Sequence, residues 1–423
     1  MSRLKRGSLS GNVTALYVLQ IASYVLPLLT IPFLVASLGV EGFGALSKTS
    51  SMMLIGVLLV DSGFNTRAVR ALAAPNLTLD QAQHIYLSTQ ALRGFFLLLV
   101  TLGLGALSVI NPTVWFDRSM AWACYLMVLG TWLYPTWLFQ GLEVMHFTTL
   151  CSLGGRLLAC GLIVCLIRTP DGLILAAYLQ SGATLISGIF AQFVIVHRLH
   201  LRWRISWDAL RLGTQRAWRE SKSLFGSEFF TNVGAHGNAF FLGFFVSDTV
   251  VGAFSLLEKI ARAMLGLLKP VVQALLPRVT RDYQGSRAKG IRIAKLWKHR
   301  LVIAGIFLGF GFAGAGTLAM VNFPEPTMII NVYWLVGMSC WLVLATFALA
   351  QGQLMCLGLG RALWYSKGLW WGSAIHLFGA AIGAWLAGVT GLIVAMIAAE
   401  LIRFLVFSSP TPKTTARTMS CES

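Results

Sequence analysis

Long apolar stretches, interrupted by two basic segments at His197–Lys222 and Arg278–Arg300, constrain this chain more than any motif in it. The two segments hold 15 of the 33 Lys and Arg residues and only three acids, Asp208, Glu220 and Asp282. Positive segments are retained on the cytoplasmic side of a bilayer and orient the apolar spans between them. Charged residues are 11% of the chain and hydrophobic ones 57%, whereas a soluble globule carries roughly a quarter charged. The pattern is that of an all-α polytopic membrane protein.

One crossing needs about 20 apolar residues. Hydropathy places twelve spans at about 13–38, 44–64, 85–110, 120–142, 147–168, 172–196, 223–246, 250–277, 301–321, 328–356, 366–387 and 389–408. An even number puts both termini on one side, and the basic segments make that side cytoplasmic. Of the basic residues only Arg118 falls in an opposite-side connection, with Arg168 at its edge. The connections are too short for a folded outside domain or an attached ATP-hydrolysing domain. The expected organisation is a first lobe at 1–196, a basic linker at 197–222, a second lobe at 223–408 and a cytoplasmic tail at 409–423. In the linker, Trp203, Trp207 and Leu210 lie at i, i+4, i+7 among Arg202, Arg204 and Arg211. That spacing fits a helix in the headgroup plane, or else a solvated basic loop.

The net charge of +18 does not indicate nucleic acid, because the cations cluster at span ends beside Trp. Anionic headgroups attract such segments by about 1 kcal/mol per Lys or Arg, which makes membrane lipids the partner. The seven cysteines show no C-x-x-C spacing, so no zinc site or disulfide framework is expected. Gly309-x-Gly311-x-x-Gly314 lies inside an apolar span with no strand before it, and reads as helix packing rather than a dinucleotide fingerprint. Pro27 and Pro32 in the first span predict a bend.

Gly44-Ala45-Leu46-Ser47 recurs as Gly252-Ala253-Phe254-Ser255, and Arg70 as Arg278, both at an offset of 208. Repeated halves with a site between them are a common transporter architecture. Ionisable residues inside spans are expensive and belong in a cavity or beside a partner. The cations are Lys48, Arg93, Arg156, Lys259, Arg262 and Lys269; the anions are Asp61, Glu228, Glu258 and Glu400, with Glu143 at a span end. At about 1.5 Å per residue, Arg262 lies about 18 Å past Val250, near the bilayer midplane. The cations suit an anion in a central chamber, and Arg can grip phosphate with two parallel bonds. The competing reading is internal pairing, such as Glu258 with Arg262 or Glu400 with Arg403, and counting charges does not settle the sign. Asp61, Glu228 and Glu400 are the candidates for coupling to an ion gradient.

Three stretches carry a family resemblance. Leu38 to Gly44 with Asp61-Ser62-Gly63-Phe64 and Arg70 is one; Pro135-Thr136-Trp137-Leu138-Phe139-Gln140-Gly141-Leu142-Glu143-Val144-Met145 is the most distinctive; Val251 to Ser255, Glu258-Lys259-Ile260 and Pro270 to Pro277 form the third. They resemble O-antigen flippases (Wzx-type) of the multidrug/oligosaccharidyl-lipid/polysaccharide exporter superfamily, over about residues 10–280. The matching stretches contain Glu41, Asp61, Arg70, Trp137, Gln140, Glu143 and Lys259. The resemblance implies twelve helices in two lobes around a central cavity, and no enzyme activity. It implies an undecaprenyl-diphosphate-linked oligosaccharide moved to the periplasmic leaflet of the inner membrane by alternating access. It also implies coupling to H+ or Na+, no other cofactor, and as partners a polysaccharide polymerase and a chain-length regulator. Trp137 and Phe139 are candidates to stack on sugars, with anchoring at the membrane interface as the alternative. A drug/cation antiporter of the same superfamily, a membrane glycosyltransferase or O-antigen polymerase, and a non-transporting scaffold are the rival readings.

Overall fold

Glycine at position 39 decides how the N-terminal apolar stretch folds. In a computed structural model, helix α1 (Leu9–Asp61) keeps helical geometry through Pro27 and Pro32 and breaks only at Gly39, whose φ of 71° and ψ of 173° lie where side chains are rarely tolerated. The torsional break thus falls at the glycine, while both prolines keep helical torsions. The structure describes residues 9–74, 77–110, 117–199, 201, 206–322 and 330–409. Arg202, Trp203, Arg204 and the tail from residue 410 lie outside the described residues.

The first half continues through α2 (Phe64–Leu72), α3 (Leu79–Ile110), α4 (Arg118–Leu133), α5 (Thr136–Gly141), α6 (Met145–Leu166) and α7 (Leu173–His197). The second half comprises α8 (Trp207–His236), α9 (Asn238–Leu242), α10 (Asp248–Gly285), α11 (Arg287–Asn322), α12 (Val332–Ala350), a π-helical turn at Gln351–Leu357, and α13 (Ala362–Ser408). Helix α13 is itself a hairpin. It breaks at Ala387 and Gly388, and Gly383 and Gly391 on its two arms meet so closely that a Cβ on either would lie within 2.4 Å of the other's carbonyl oxygen.

Among the described residues, seven helices are long and apolar enough to cross a membrane. Two of these, α1 and α13, break in the middle and cross twice. The α4–α5 and α8–α9 pairs and α10 complete the twelve spans, arranged as two six-helix lobes around a central cavity. Helix α10 is less apolar and carries Glu258, Lys259, Arg262 and Lys269. It packs along α1 between the lobes, where charge is sheltered from acyl chains. Each lobe has its own core. Ile31, Leu34, Leu38, Phe43, Met53, Val128 and Ile163 are among the first lobe's; Val251, Phe254, Leu342, Leu392 and Met396 are among the second's.

The repeated glycines meet each other. A Cβ at Gly44 would lie 1.7 Å from the carbonyl oxygen of Asp248, and one at Gly252 would lie 2.1 Å from that of Val40. Asp248 stands 208 residues after Val40, and Gly252 stands 208 after Gly44. The contact is thus reciprocal in the manner of an isologous interface, as two repeats related by a two-fold axis require. Gly305 and Gly309 likewise seat Thr346 and Val343 of α12, so helix packing accounts for Gly309, whereas Gly311 and Gly314 of the same run face open space.

At the other end of the molecule the linker departs from the expectation of a separate surface helix. Trp207 begins one continuous helix that runs into the seventh span. Its first half packs on α3, with Gly213 against Ser88. Trp218 and Phe225 join Phe64 and Phe96 in an aromatic cluster with centroids 5.1–6.5 Å apart. Beside it Glu220 bridges Arg67 at 2.8 Å and Arg216 at 2.9 Å. Hydrogen bonds from Arg216 and Arg67 hold the Glu220 carboxyl below the usual carboxylate range.

Candidate functional site

The six cations inside the spans divide by partner. Lys48 forms an ion pair with Asp248 across the lobe seam, its stem lying along α9 at Gly243. The distance constraint is supplied by the Gly44–Gly252 crossing one turn away. Arg262 lies 2.7 Å from Glu258.

Arg93 sits in the wall of the first lobe, fully buried, rather than in the space between lobes. Its guanidinium donates to Asp61 Oδ1 at 2.7 Å, Gln90 Oε1 at 2.7 Å, and the carbonyls of Thr131 at 2.6 Å and Trp132 at 3.3 Å. The cause lies in the sequence of α4. Pro135 cannot supply the amide that would continue the helix, so the last carbonyls of α4 turn to side-chain donors, Gln90 on Trp132 at 3.0 Å and Gln192 on Leu133 at 2.7 Å among them. Arg93 caps them, and its positive charge at a helix C-terminus is favourable.

The other three cations have no carboxylate within ion-pair distance among the described residues. Arg156 on α6 donates to the Ser23 hydroxyl of α1. Lys259 on α10 reaches across the seam to Ser47 Oγ at 3.0 Å and lies 4.4 Å above the Phe43 ring. Lys269, two turns past Arg262, is half-buried. Arg156 and Lys259 lie about 15 and 16 Å from the end of the molecule that carries the Gly39 break, counting 10 residues back from Leu166 and 11 on from Asp248. Both are thus near mid-depth.

The three candidate coupling acids are held by fixed donors. Asp61 accepts from Arg93 and, through Oδ2, from Asn65 at 2.9 Å. Glu228 crosses from the second lobe to accept from the Gly63 amide and the Thr66 hydroxyl, both at 2.9 Å. It caps α2, whose start at Gly63 (φ 75°) supplies no side-chain cap of its own. Glu400 is buried and lies 2.6 Å from Arg403, which also donates to Ser373 at 3.3 Å.

The resemblance-bearing residues separate in the same way. Glu41, Arg70 and Gln140 are exposed, and Glu143 occupies a turn at φ 60°. Trp137 and Phe139 are fully buried in a core with Tyr86, Leu72 and Leu138, so they neither stack on sugars nor anchor at the interface here. The tight seat of Gly141 on Leu72, where a Cβ would lie 2.7 Å from Leu72 Cβ, shows what this motif builds: the docking of α5 on α2.

Sequence reasoning did not assign Asp248, Asn238 or His376 a role. Asn238 bridges Glu258 at 2.6 Å and His376 at 3.0 Å. A signal existed for Asp248 alone: the repeat offset aligns it with Val40, beside the glycine crossing.

Two lobes that meet at a reciprocal glycine crossing, with cations near mid-depth that have no carboxylate partner among the described residues, give the architecture of a membrane transporter. The chain superposes on the inward-facing conformation of a multidrug resistance MATE family transporter of the MOP superfamily with a TM-score of 0.68 at 15% identity, covering 91% of this chain and 93% of that one. It superposes on the lipid II flippase MurJ in an inward closed conformation with a TM-score of 0.66 at 12% identity, covering 92% and 86%. At these identities the likeness is one of fold. A protein of Escherichia coli (strain K12) named "Putative O-antigen transporter" is 30% identical over 345 residues, covering 77% of this chain and 82% of that protein. The polysaccharide biosynthesis protein family model matches residues 9–281, and the chain belongs to that family.

Proposed function

We propose that this protein flips undecaprenyl-diphosphate-linked O-antigen repeat units from the cytoplasmic to the periplasmic leaflet of the inner membrane by alternating access. Both termini are cytoplasmic in this reading, and an ion gradient drives the cycle. The observation that supports it best is the positive charge of Arg156, Lys259 and Lys269 inside the spans, with no carboxylate within ion-pair distance among the described residues. A drug cation would be repelled there, whereas a diphosphate carries the charge that such a site attracts. Opening and closing of the Gly44–Gly252 crossing supplies a hinge between lobes, and the isoprenoid tail stays in lipid while the head group crosses.

Deleting the protein tests the reading. Lipid-linked repeat units should accumulate in the inner leaflet while surface glycan disappears. Loss of drug resistance with normal surface glycan would overturn it. In proteoliposomes, flipping should slow when the ion gradient is dissipated.

A further inference from the structure

Between α8, α9, α10 and α13 a run of polar side chains passes through the apolar core of the second lobe. Glu258 Oε1 accepts from Arg262 Nε at 2.9 Å, Arg262 Nη2 at 2.7 Å and Asn238 Nδ2 at 2.6 Å. The Asn238 Oδ1 lies 3.0 Å from His376 Nε2. Glu258, Asn238 and His376 are buried. The Arg262 side chain retains 27% of its accessibility against 11% for Glu258, and it lies 5.3 Å above the Trp341 ring. The guanidinium is therefore the approachable partner, and the carboxylate sits behind it.

Other charged or titratable groups within electrostatic reach are His236 on α8, Lys259 and Lys269 on α10, and His376 and the Glu400–Arg403 pair on α13. None of these replaces Arg262 as a direct hydrogen-bond donor to Glu258 among the described contacts.

Glu258 occupies, with one oxygen, the two N–H groups that an incoming oxyanion would grip in bidentate fashion. An anion that takes Arg262 leaves a buried carboxylate without its counter-charge. That state is strongly unfavourable, and a buried carboxyl escapes it by neutralising. Sodium would need several oxygen ligands, but Asn238 presents its nitrogen to Glu258, as an ionised carboxylate requires.

Building on the flippase reading, we propose that capture of a diphosphate by Arg262 displaces Glu258, which takes one proton from solvent, so that the anionic lipid and a proton bind the second lobe together. Atoms and charge balance in this exchange: one ion pair breaks, one forms, and the freed carboxylate gains H+. Asn238 is a positioning residue that holds the released carboxyl in place.

Binding of farnesyl diphosphate to the full-length protein in nanodiscs tests this above about pH 7.5, where the diphosphate has lost its last proton. Uptake of one proton per ligand makes Kd rise about tenfold per pH unit in wild type. Glu258→Gln should bind more tightly and lose that slope, whereas His236→Gln and His376→Gln should keep it. Calorimetry of the wild type in buffers of different ionisation enthalpy counts the proton directly, whatever the variants do to folding. Equal slopes in wild type and Glu258→Gln, or no proton taken up, overturn the proposal and leave the flippase reading standing. A slope lost only in a histidine variant also overturns it. No binding at any pH overturns both.

Discussion

Gly44→Ala should wedge the lobes apart. The added Cβ would fall 1.7 Å from the Asp248 carbonyl oxygen and 2.7 Å from the Gly252 amide nitrogen. Ordinary contact begins near 3.4 Å, so α10 must retreat by more than an ångström, and backbone rather than a flexible side chain stands in the way. Overpacking of this kind costs about 1–3 kcal/mol. If the closed crossing is one of two conformations, that cost shifts their ratio about 5–150-fold toward the separated state. The Lys48–Asp248 pair weakens with it, because the same crossing sets its distance. Spin labels at Glu41→Cys and Ser247→Cys, both exposed positions, would read the change as a longer distance in a background free of native cysteines. Flipping should slow, since the cycle then spends less time closed at this end. An unchanged distance distribution with unchanged thermal stability would refute the reasoning.

Arg93→Met should destabilise the fold by about 1.5–3 kcal/mol, because it removes the charged donor shared by Asp61 and the Thr131 carbonyl; thermal unfolding in detergent measures this, and adding Asp61→Asn should restore part of the loss. Trp137→Ala should cost about 3–5 kcal/mol by opening the core between α5 and α3, with substrate affinity per folded molecule unchanged. Arg262→Ala should reduce flipping more than Arg262→Lys at matched folded protein; equal rates for wild type and Arg262→Ala would remove Arg262 from the transport path. The Glu220 contribution to stability is present above its unfolded value of about 4.3 and lost as pH falls through its lower folded value. Glu220→Gln should therefore erase that acid-side dependence in an unfolding titration.

Hydropathy disclosed the spans because a bilayer leaves the backbone little choice but helix. The offset of 208 disclosed the symmetry, and the glycines that carry it prove to be the lobe contact itself. Charge partners were less legible. Asp248 reads as part of a short connection, and only the crossing brings it to Lys48. Arg93 reads as a cavity cation until Pro135 is seen to orphan the carbonyls that it caps. Glu228 reads as a free carboxylate until the break at Gly63 supplies the amide that it accepts. In each case a proline or glycine in one span determines the role of a charge in another, so no single stretch contains the answer. Trp137 and Phe139 were ambiguous for a different reason: an aromatic pair near a span end fits an interface as well as a core, and only packing distinguishes them.

The account rests on positive charge inside the spans attracting an anionic lipid. Its most direct measurement is leaflet-resolved flipping in proteoliposomes of a polyprenyl-diphosphate oligosaccharide and of the same oligosaccharide on an uncharged polyprenyl linkage. Wild type should move the diphosphate form far faster, and neutralising Arg156, Lys259 and Lys269 together should remove that preference while the protein stays folded. Equal rates for the two lipids in wild type, or a preference that survives the triple neutralisation, would contradict the account.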